Sequence, residues 1–238
     1  MHFSCAYVRI DKILRTEIKN RSVFRFMRKI ILKTALITLG VVIVLAVAAF
    51  GIASLCVPAA MSDLTYSLGM EAISSDYAFQ EYERSGSLAY LSRSFELAAN
   101  AGSDEKAAER FDKLYASDGF GELCEQRDEQ TPPVEVDGEE VTYSYRGYVC
   151  GLGACVKYRI ADSAEEEQAA IDLALRETAS DFPMGNPAYL LATEAAGSAD
   201  SAFCAQLLTA FGGADFEHNE LYTNLVNILE VIADEQNH

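Results

Sequence analysis

The sequence predicts an all-α protein: one N-terminal transmembrane helix followed by a solenoid of short helical hairpins. Three observations predict it. The run from Thr34 to Ser62 carries no charge, the charge balance reverses sharply across that run, and after it apolar residues recur at helical spacing between capping residues.

The formal net charge of −17 conceals two regions. Residues 1–33 hold nine Lys or Arg against Asp11 and Glu17, a balance of +7, and the remainder holds ten against 34 Asp or Glu, a balance of −24. An acidic region of that size repels polyanions, which excludes nucleic acid as a partner.

The apolar centre of the uncharged run, Ala35 to Val57, is 23 residues long. As a helix it measures roughly 35 Å, against a hydrocarbon core of about 30 Å. A cleaved signal peptide is the rival reading, and Val57-Pro58-Ala59 is a passable cleavage site. Signal peptides have apolar cores of about 7–15 residues, so the segment reads as a retained anchor; cleavage would instead release a secreted binding protein. Leu55 before Cys56 argues against lipoprotein processing. Arg28, Lys29 and Lys33 precede the helix and Asp63 is the first charge after it, so the positive-inside rule keeps the N-terminus in the cytoplasm. The expected organisation is a basic cytoplasmic segment at 1–33, a transmembrane helix at 34–62 in contact with membrane lipid, and an acidic extracytoplasmic domain at 63–238, single-pass in the cell membrane. Met27-Arg28-Lys29 resembles an ordinary start, so residues 1–26 are expected to be an upstream extension.

The outer region is long enough for one domain with a substantial core. Leu88, Leu91, Phe95, Ala98 and Ala99 follow one helical face, closed by Gly102. Ser103 caps a second helix with Ala107, Ala108, Phe111, Leu114 and Tyr115 inward, ended by Asp118-Gly119. Ser163 and Glu166 form a capping box before Ala170, Leu173 and Ala174. Asn186-Pro187 opens the next helix, ended at Gly197. Phe203, Leu207 and Phe211 mark a partner helix, and after Gly212-Gly213 a last helix presents Leu221, Leu225, Ile228, Leu229 and Ile232. Short amphipathic helices with short connections are the pattern of stacked hairpins.

Leu64 to Cys124, with Leu68-Gly69, Tyr77, Tyr82-Glu83-Arg84-Ser85-Gly86, Leu91, Ala107-Ala108 and Phe111 to Leu114, resembles degenerate tetratricopeptide-type (TPR-like) repeats. More closely, the chain resembles bacterial proteins of unassigned function that carry one N-terminal membrane helix and such repeats outside. Tyr145, Tyr148-Val149, Tyr158-Arg159, Ala169 to Ala174 and Phe182 to Pro187 extend the resemblance over most of the outer domain. It implies a TPR-like solenoid and no functional residue. Two departures stand out: a short spacing after Gly69 and an insertion at 128–140. Ala89-Tyr90-Leu91 recurs as Ala188-Tyr189-Leu190, 99 residues on, or three repeats of 33.

Two readings compete over Val134 to Ile160. Val141, Tyr143 and Tyr145 alternate like a strand, and Cys150 to Cys155 would then be a hairpin turn closed by a disulfide, with Arg146 unfavourably opposite Arg159. As a helix, Tyr145, Tyr148, Val149, Leu152, Val156 and Ile160 share a face, and Gly147, Gly151 and Gly153 permit close contact at some loss of helix propensity. The helix is preferred because its neighbours are helical. In either regular structure Cys150 and Cys155 point apart, and only a tight turn would let them bond; Cys124, Cys150, Cys155 and Cys204 allow three complete pairings, none readable from sequence, and the preferred reading is buried free thiols acting as small hydrophobes.

No residue earns a catalytic, cofactor or metal assignment. The histidines are His2, His218 and His238, and His218 reads as a solvated residue at the start of the last helix. Gly151-Leu152-Gly153 lacks the third glycine of a dinucleotide fingerprint, since Val156 stands there. Glu165, Glu166 and Glu167 are explained by the field at a helix N-terminus, and no His or second Cys pair completes a metal site. The chain is therefore expected to be a protein- or peptide-binding module whose acidic surface suits a basic partner. The alternative is an enzyme whose active-site residues are too dispersed in sequence to see.

Overall fold

A computed structural model describes residues 31–53, 55–136, 139–141, 143–178, 185–216 and 218–234. The basic segment at 1–30, including the proposed upstream extension, lies outside the described residues, as do His2, Cys5, His238 and residues 182–184. The described residues form eleven helices and one short two-stranded ribbon. The chain divides into two compact units, Met1–Cys56 and Val57–His238.

In the first unit the described residues form α1, Ile31–Ala53, 23 residues whose most apolar 18-residue stretch has a mean hydropathy of 2.8 and is not buried within the protein. By length and composition it can cross a membrane. It ends earlier than the uncharged run suggests. Pro58, which lacks an N–H, opens a separate helix, α2 (Pro58–Ser67), in the second unit. Met61, Ser62 and Thr65 are buried there, and the Ser74 hydroxyl donates to the Ser62 carbonyl at 2.7 Å. The expected boundary at Ser62 therefore moves back to about residue 56.

The second unit continues with α3 (Glu71–Ser85), α4 (Leu88–Asn100), α5 (Asp104–Tyr115) and α6 (Phe120–Gln130). Of these, α6 falls where the sequence suggested the end of a hairpin. The ribbon β1 (Val134–Val136) and β2 (Glu139–Val141) follows, antiparallel with Val134 opposite Val141. Next come α7 (Tyr145–Arg159), α8 (Ala164–Glu177), α9 (Pro187–Ser198), α10 (Ser201–Gly212) and α11 (Glu220–Asp234). The helical reading of 145–160 holds. A hairpin does form, but upstream, inside the segment expected as an insertion.

Capping chemistry explains most boundaries. Gly102 takes a left-handed φ of 66° after α4. Ser144, Ser163, Asn186 and Asp200 each accept from a backbone N–H of the turn they open. In the α8 box Glu166 reaches back to the Asp162 N–H at 2.8 Å rather than to Ser163. Three expectations need correction. Ser103 precedes α5 without a side-chain cap bond, because its backbone is not extended there. α9 runs through Gly197 and stops at Ala199, whose φ is +52°. On α11 the inward face is Tyr222, Leu225 and Leu229, which leaves Ile228 half exposed.

Neighbouring helices pack in order from α2 to α5, and from there α7 becomes the centre, meeting α4, α5, α6, α8 and α9. In turn α9 meets α10 and α11. The residues first assigned to the inner face of α7 divide: Val149 and Val156 are fully buried, but Tyr145, Tyr148, Leu152 and Ile160 are half buried. The deepest contacts come instead from Cys150, Gly151, Gly153, Ala154 and Cys155. Small side chains on nearly every side let α7 accept neighbours all round. A Cβ on Gly151 would lie 2.6 Å from Leu190 Cδ1 and 3.0 Å from Pro187 Cα of α9, and one on Gly153 would lie 2.4–2.6 Å from three ring atoms of Phe111 on α5. Two residues apart is about 200° around a helix, so the glycines serve opposite neighbours.

This geometry predicts opposite signs for one substitution. Gly153→Ala should destabilise the protein by about 1–3 kcal/mol, because the buried Phe111 ring already occupies the space the new Cβ needs. Gly197→Ala, on α9 with nothing within 4 Å of the new Cβ, should stabilise it by roughly 0.5–1 kcal/mol. Thermal melting of the detergent-solubilised chain measures both, and equal effects would contradict the packing described.

Candidate functional site

A groove of about 430 Å³ lies between α5 and α8, floored by the C-terminal end of α7. Ala108, Phe111, Ile160, Ala169, Ala170 and Leu173 give it an apolar lining, and Asp112, Tyr115, Lys157, Asp162, Glu166 and Arg176 stand around it. Helical spacing places them. Phe111 and Tyr115 are one turn apart on α5, and Glu166, Ala169, Ala170 and Leu173 fall on one side of α8.

The cations of the groove are engaged with acids of the protein itself. Lys157 Nζ lies 2.7 Å from Asp112, and Arg176 lies 3.7 Å from Glu177 while donating to the Tyr115 hydroxyl at 3.4 Å. Asp162 and Glu166 carry no ion pair among the described residues, so their exposed carboxylates give the rim an acidic end.

Beneath the other end lies a network built on Glu177, whose side chain is 9% exposed. The Tyr115 hydroxyl donates to Glu177 at 2.6 Å, and Arg146 donates from Nε at 3.0 Å. Burial pushes the Glu177 carboxyl up, but the Tyr115 hydrogen bond and the Arg146 charge outweigh it and hold it below the usual carboxylate range. The same hydrogen bond, with burial, raises Tyr115. The Cys150 thiol sits 3.9 Å from Glu177, and burial together with that charge pushes it up to about 12. It is a protonated thiol at neutral pH and a poor nucleophile.

Three further clamps hold the surrounding helices. Arg110, 5% exposed, donates to Asp76 Oδ1 at 2.8 Å, to the Ser94 carbonyl at 3.3 Å and to the Ser75 hydroxyl, joining α3, α4 and α5. Arg159 grips Asp104 through two nitrogens, at 3.1 and 2.8 Å, and Glu194 at 2.9 Å, joining α5, α7 and α9. The Tyr145 hydroxyl bonds Glu96 and Ser92, tying α7 to α4. Burial, with the Glu96 charge, raises Tyr145 well above an ordinary phenol.

The residues weighed from sequence stay apart. His218 is exposed and stacks on Tyr222 at 4.5 Å between ring centroids, next to Asn219, which accepts from the Tyr222 N–H at 2.9 Å. Of Glu165, Glu166 and Glu167, all in the first turn of α8, Glu166 borders the groove. Cys124, Cys150, Cys155 and Cys204 are buried free thiols, and burial raises each of them, Cys124 to about 11 and Cys155 to about 12. Among the described residues no group of three or more His, Cys, Asp and Glu gathers in a way that could hold a metal ion. Arg110 and Glu177 were missed, although each interrupts an apolar face: Arg110 stands between Ala107 and Leu114, and Glu177 follows Leu173 and Ala174 by four and three residues.

No family model, no curated protein and no solved structure matches this chain.

The Glu177 network predicts a pH signature. A carboxyl with a lowered folded-state value adds stability above the unfolded value, here 4.5, and loses that contribution as pH falls through the folded value. Glu177→Gln should therefore cost about 1–3 kcal/mol at pH 7, with the gap to the wild type narrowing below pH 4.5. Urea titrations across that range read it, and a gap independent of pH would contradict the charge assignment.

Proposed function

We propose that the chain is a membrane-anchored helical-repeat protein that binds a protein or peptide outside the cytoplasmic membrane, with the groove between α5 and α8 as its recognition surface. The observation that carries the reading is the groove itself: an apolar floor for a ligand side chain beside two exposed carboxylates without an ion pair among the described residues, Asp162 and the α8-capping Glu166, on a region of net charge −24. Pockets of this make-up orient a ligand by few polar groups and bind it by apolar contact. A segment with an apolar residue followed by Lys or Arg fits both features.

The order of contacts supports a TPR-like stack. α4, α7, α9 and α11 each meet the next, as successive first helices of repeats do, and on this reading α5, α8 and α10 are the second helices. Ala89 and Ala188 both stand second in their helices, α4 and α9, in keeping with a repeat. The length and hydropathy of α1 support the anchor, and the positive balance of residues 1–33 supports an N-terminus inside.

The test is capture of partners by the full chain in nanodiscs from extracts of the native cell surface, at low and high salt, in parallel with broad hydrolase substrates. The expected result is a stable partner. Its affinity should fall roughly 2–5-fold for each of Asp162→Asn and Glu166→Gln, and it should weaken further with salt. Turnover of a substrate with no stable partner would favour the enzyme instead.

A further inference from the structure

We infer that α2 and the start of α3 form a second membrane contact, in which Leu64, Leu68 and Met70 enter the headgroup boundary of the outer leaflet. The inference rests on the anchor reading of α1 proposed above.

Within residues 57–73 the side chains of Leu64, Tyr66, Leu68, Met70 and Ile73 are 48, 53, 62, 48 and 47% exposed. Elsewhere in the second unit the large apolar side chains this exposed, among the described residues, are Ile228 and Val231. Helix geometry orders part of the first group, with Tyr66 about 200° from Leu64 on the other flank. Leu64 and Leu68 are one turn apart, and Val57, seven residues before Leu64, continues the same flank back to the start of α2. The other side of α2, with Met61, Ser62 and Thr65, is buried in its packing with α3. Met70 follows the turn at Gly69, and Ile73 is the third residue of α3. Large apolar side chains gathered in this way mark an interaction surface.

Two observations identify lipid as the occupant. The first is tether length. Leu55 and Cys56 are helical too, and Val57 alone separates them from Pro58. One residue holds the start of α2 within about 8 Å of Cys56, and α2 itself is about 15 Å long. If the apolar helix spans the bilayer, α2 begins at its surface. The second is charge. Residues 57–73 contain two charged side chains, Asp63, bridged by Arg93 at 2.6 Å, and Glu71. The rest of the unit is strongly acidic and is repelled by anionic headgroups, so this nearly neutral edge is the one that approaches a membrane most easily. An apolar flank of this kind sinks roughly 5–10 Å into the boundary.

The test uses the full chain in phosphatidylcholine nanodiscs containing a lipid with an acyl-chain diazirine, photolysed and mapped by peptide mass spectrometry. Label is expected in Ile31–Ala53 and also in Leu64–Ile73, but not around Ile228 and Val231. Because the contact is apolar, labelling of Leu64–Ile73 should be the same at low and high salt. It should fall roughly five-fold or more in the Leu68→Glu, Met70→Glu variant, with span labelling and the helical circular dichroism unchanged. Label confined to the span would overturn the inference while leaving the anchor intact, and so would capture of Leu64–Ile73 by a second copy of the chain. An unlabelled span would overturn the anchor reading and the inference with it.

Discussion

The second unit depends on how closely α5 and α9 approach α7. That approach exists because positions 151 and 153 have no side chain: Leu190 and Pro187 occupy the space on one side and the ring of Phe111 on the other. The choice costs helix propensity, about 1 kcal/mol for each glycine relative to alanine, and is offset by packing that a larger residue would prevent. Phe111 then does two things. Its ring fills the hollow over Gly153 and also lines the groove, so the floor of the candidate recognition surface is set by the contact that assembles the core. Its stack with Tyr115, 5.5 Å between centroids, carries the same constraint along α5 to the hydroxyl that Glu177 accepts.

Around this apolar centre the charged clamps share one logic. A buried charge is tolerable when it is paired and hydrogen-bonded, and Arg110 and Glu177 meet both conditions with partners on other helices. Such groups add little net energy relative to apolar residues, but each requires its partners in place. They therefore select one arrangement of α3, α4 and α5, and of α5, α7 and α8. The thiols near the same surfaces remain protonated through burial, which keeps them as filler for small spaces.

Much of the helical architecture was legible because caps and apolar periodicity are local signals. Gly102, Ser163, Asn186-Pro187 and Phe203 to Phe211 point to helices that the structure contains. The membrane segment was legible in kind but not in length, because an uncharged sequence does not reveal that Met61 and Ser62 turn away to pack on α3. α7 was legible as a helix but not as a hub. A stripe of Tyr and Val suggested a single inner face, whereas burial on nearly all sides is written in Gly, Ala and Cys, which carry little periodic signal. The ribbon had a sequence signal that went unused, Asp137-Gly138 between two short runs bearing valine. The groove was not legible at all. Its lining comes from α5, α7 and α8, and no local pattern announces which residues from separate helices will face one another.

The proposed binding role and the proposed membrane contact place two surfaces at different stretches of one chain, α2 and α3 beside the anchor and α5, α7 and α8 further along. Both presuppose a rigid second unit centred on α7. Hydrogen exchange of the full chain in nanodiscs tests that most directly. The account predicts that the amides of Val149 to Val156 exchange slowest in the second unit, with the free energy of global unfolding, while those of α11 open earlier. Faster exchange in α7 than in α4 or α5 would contradict it.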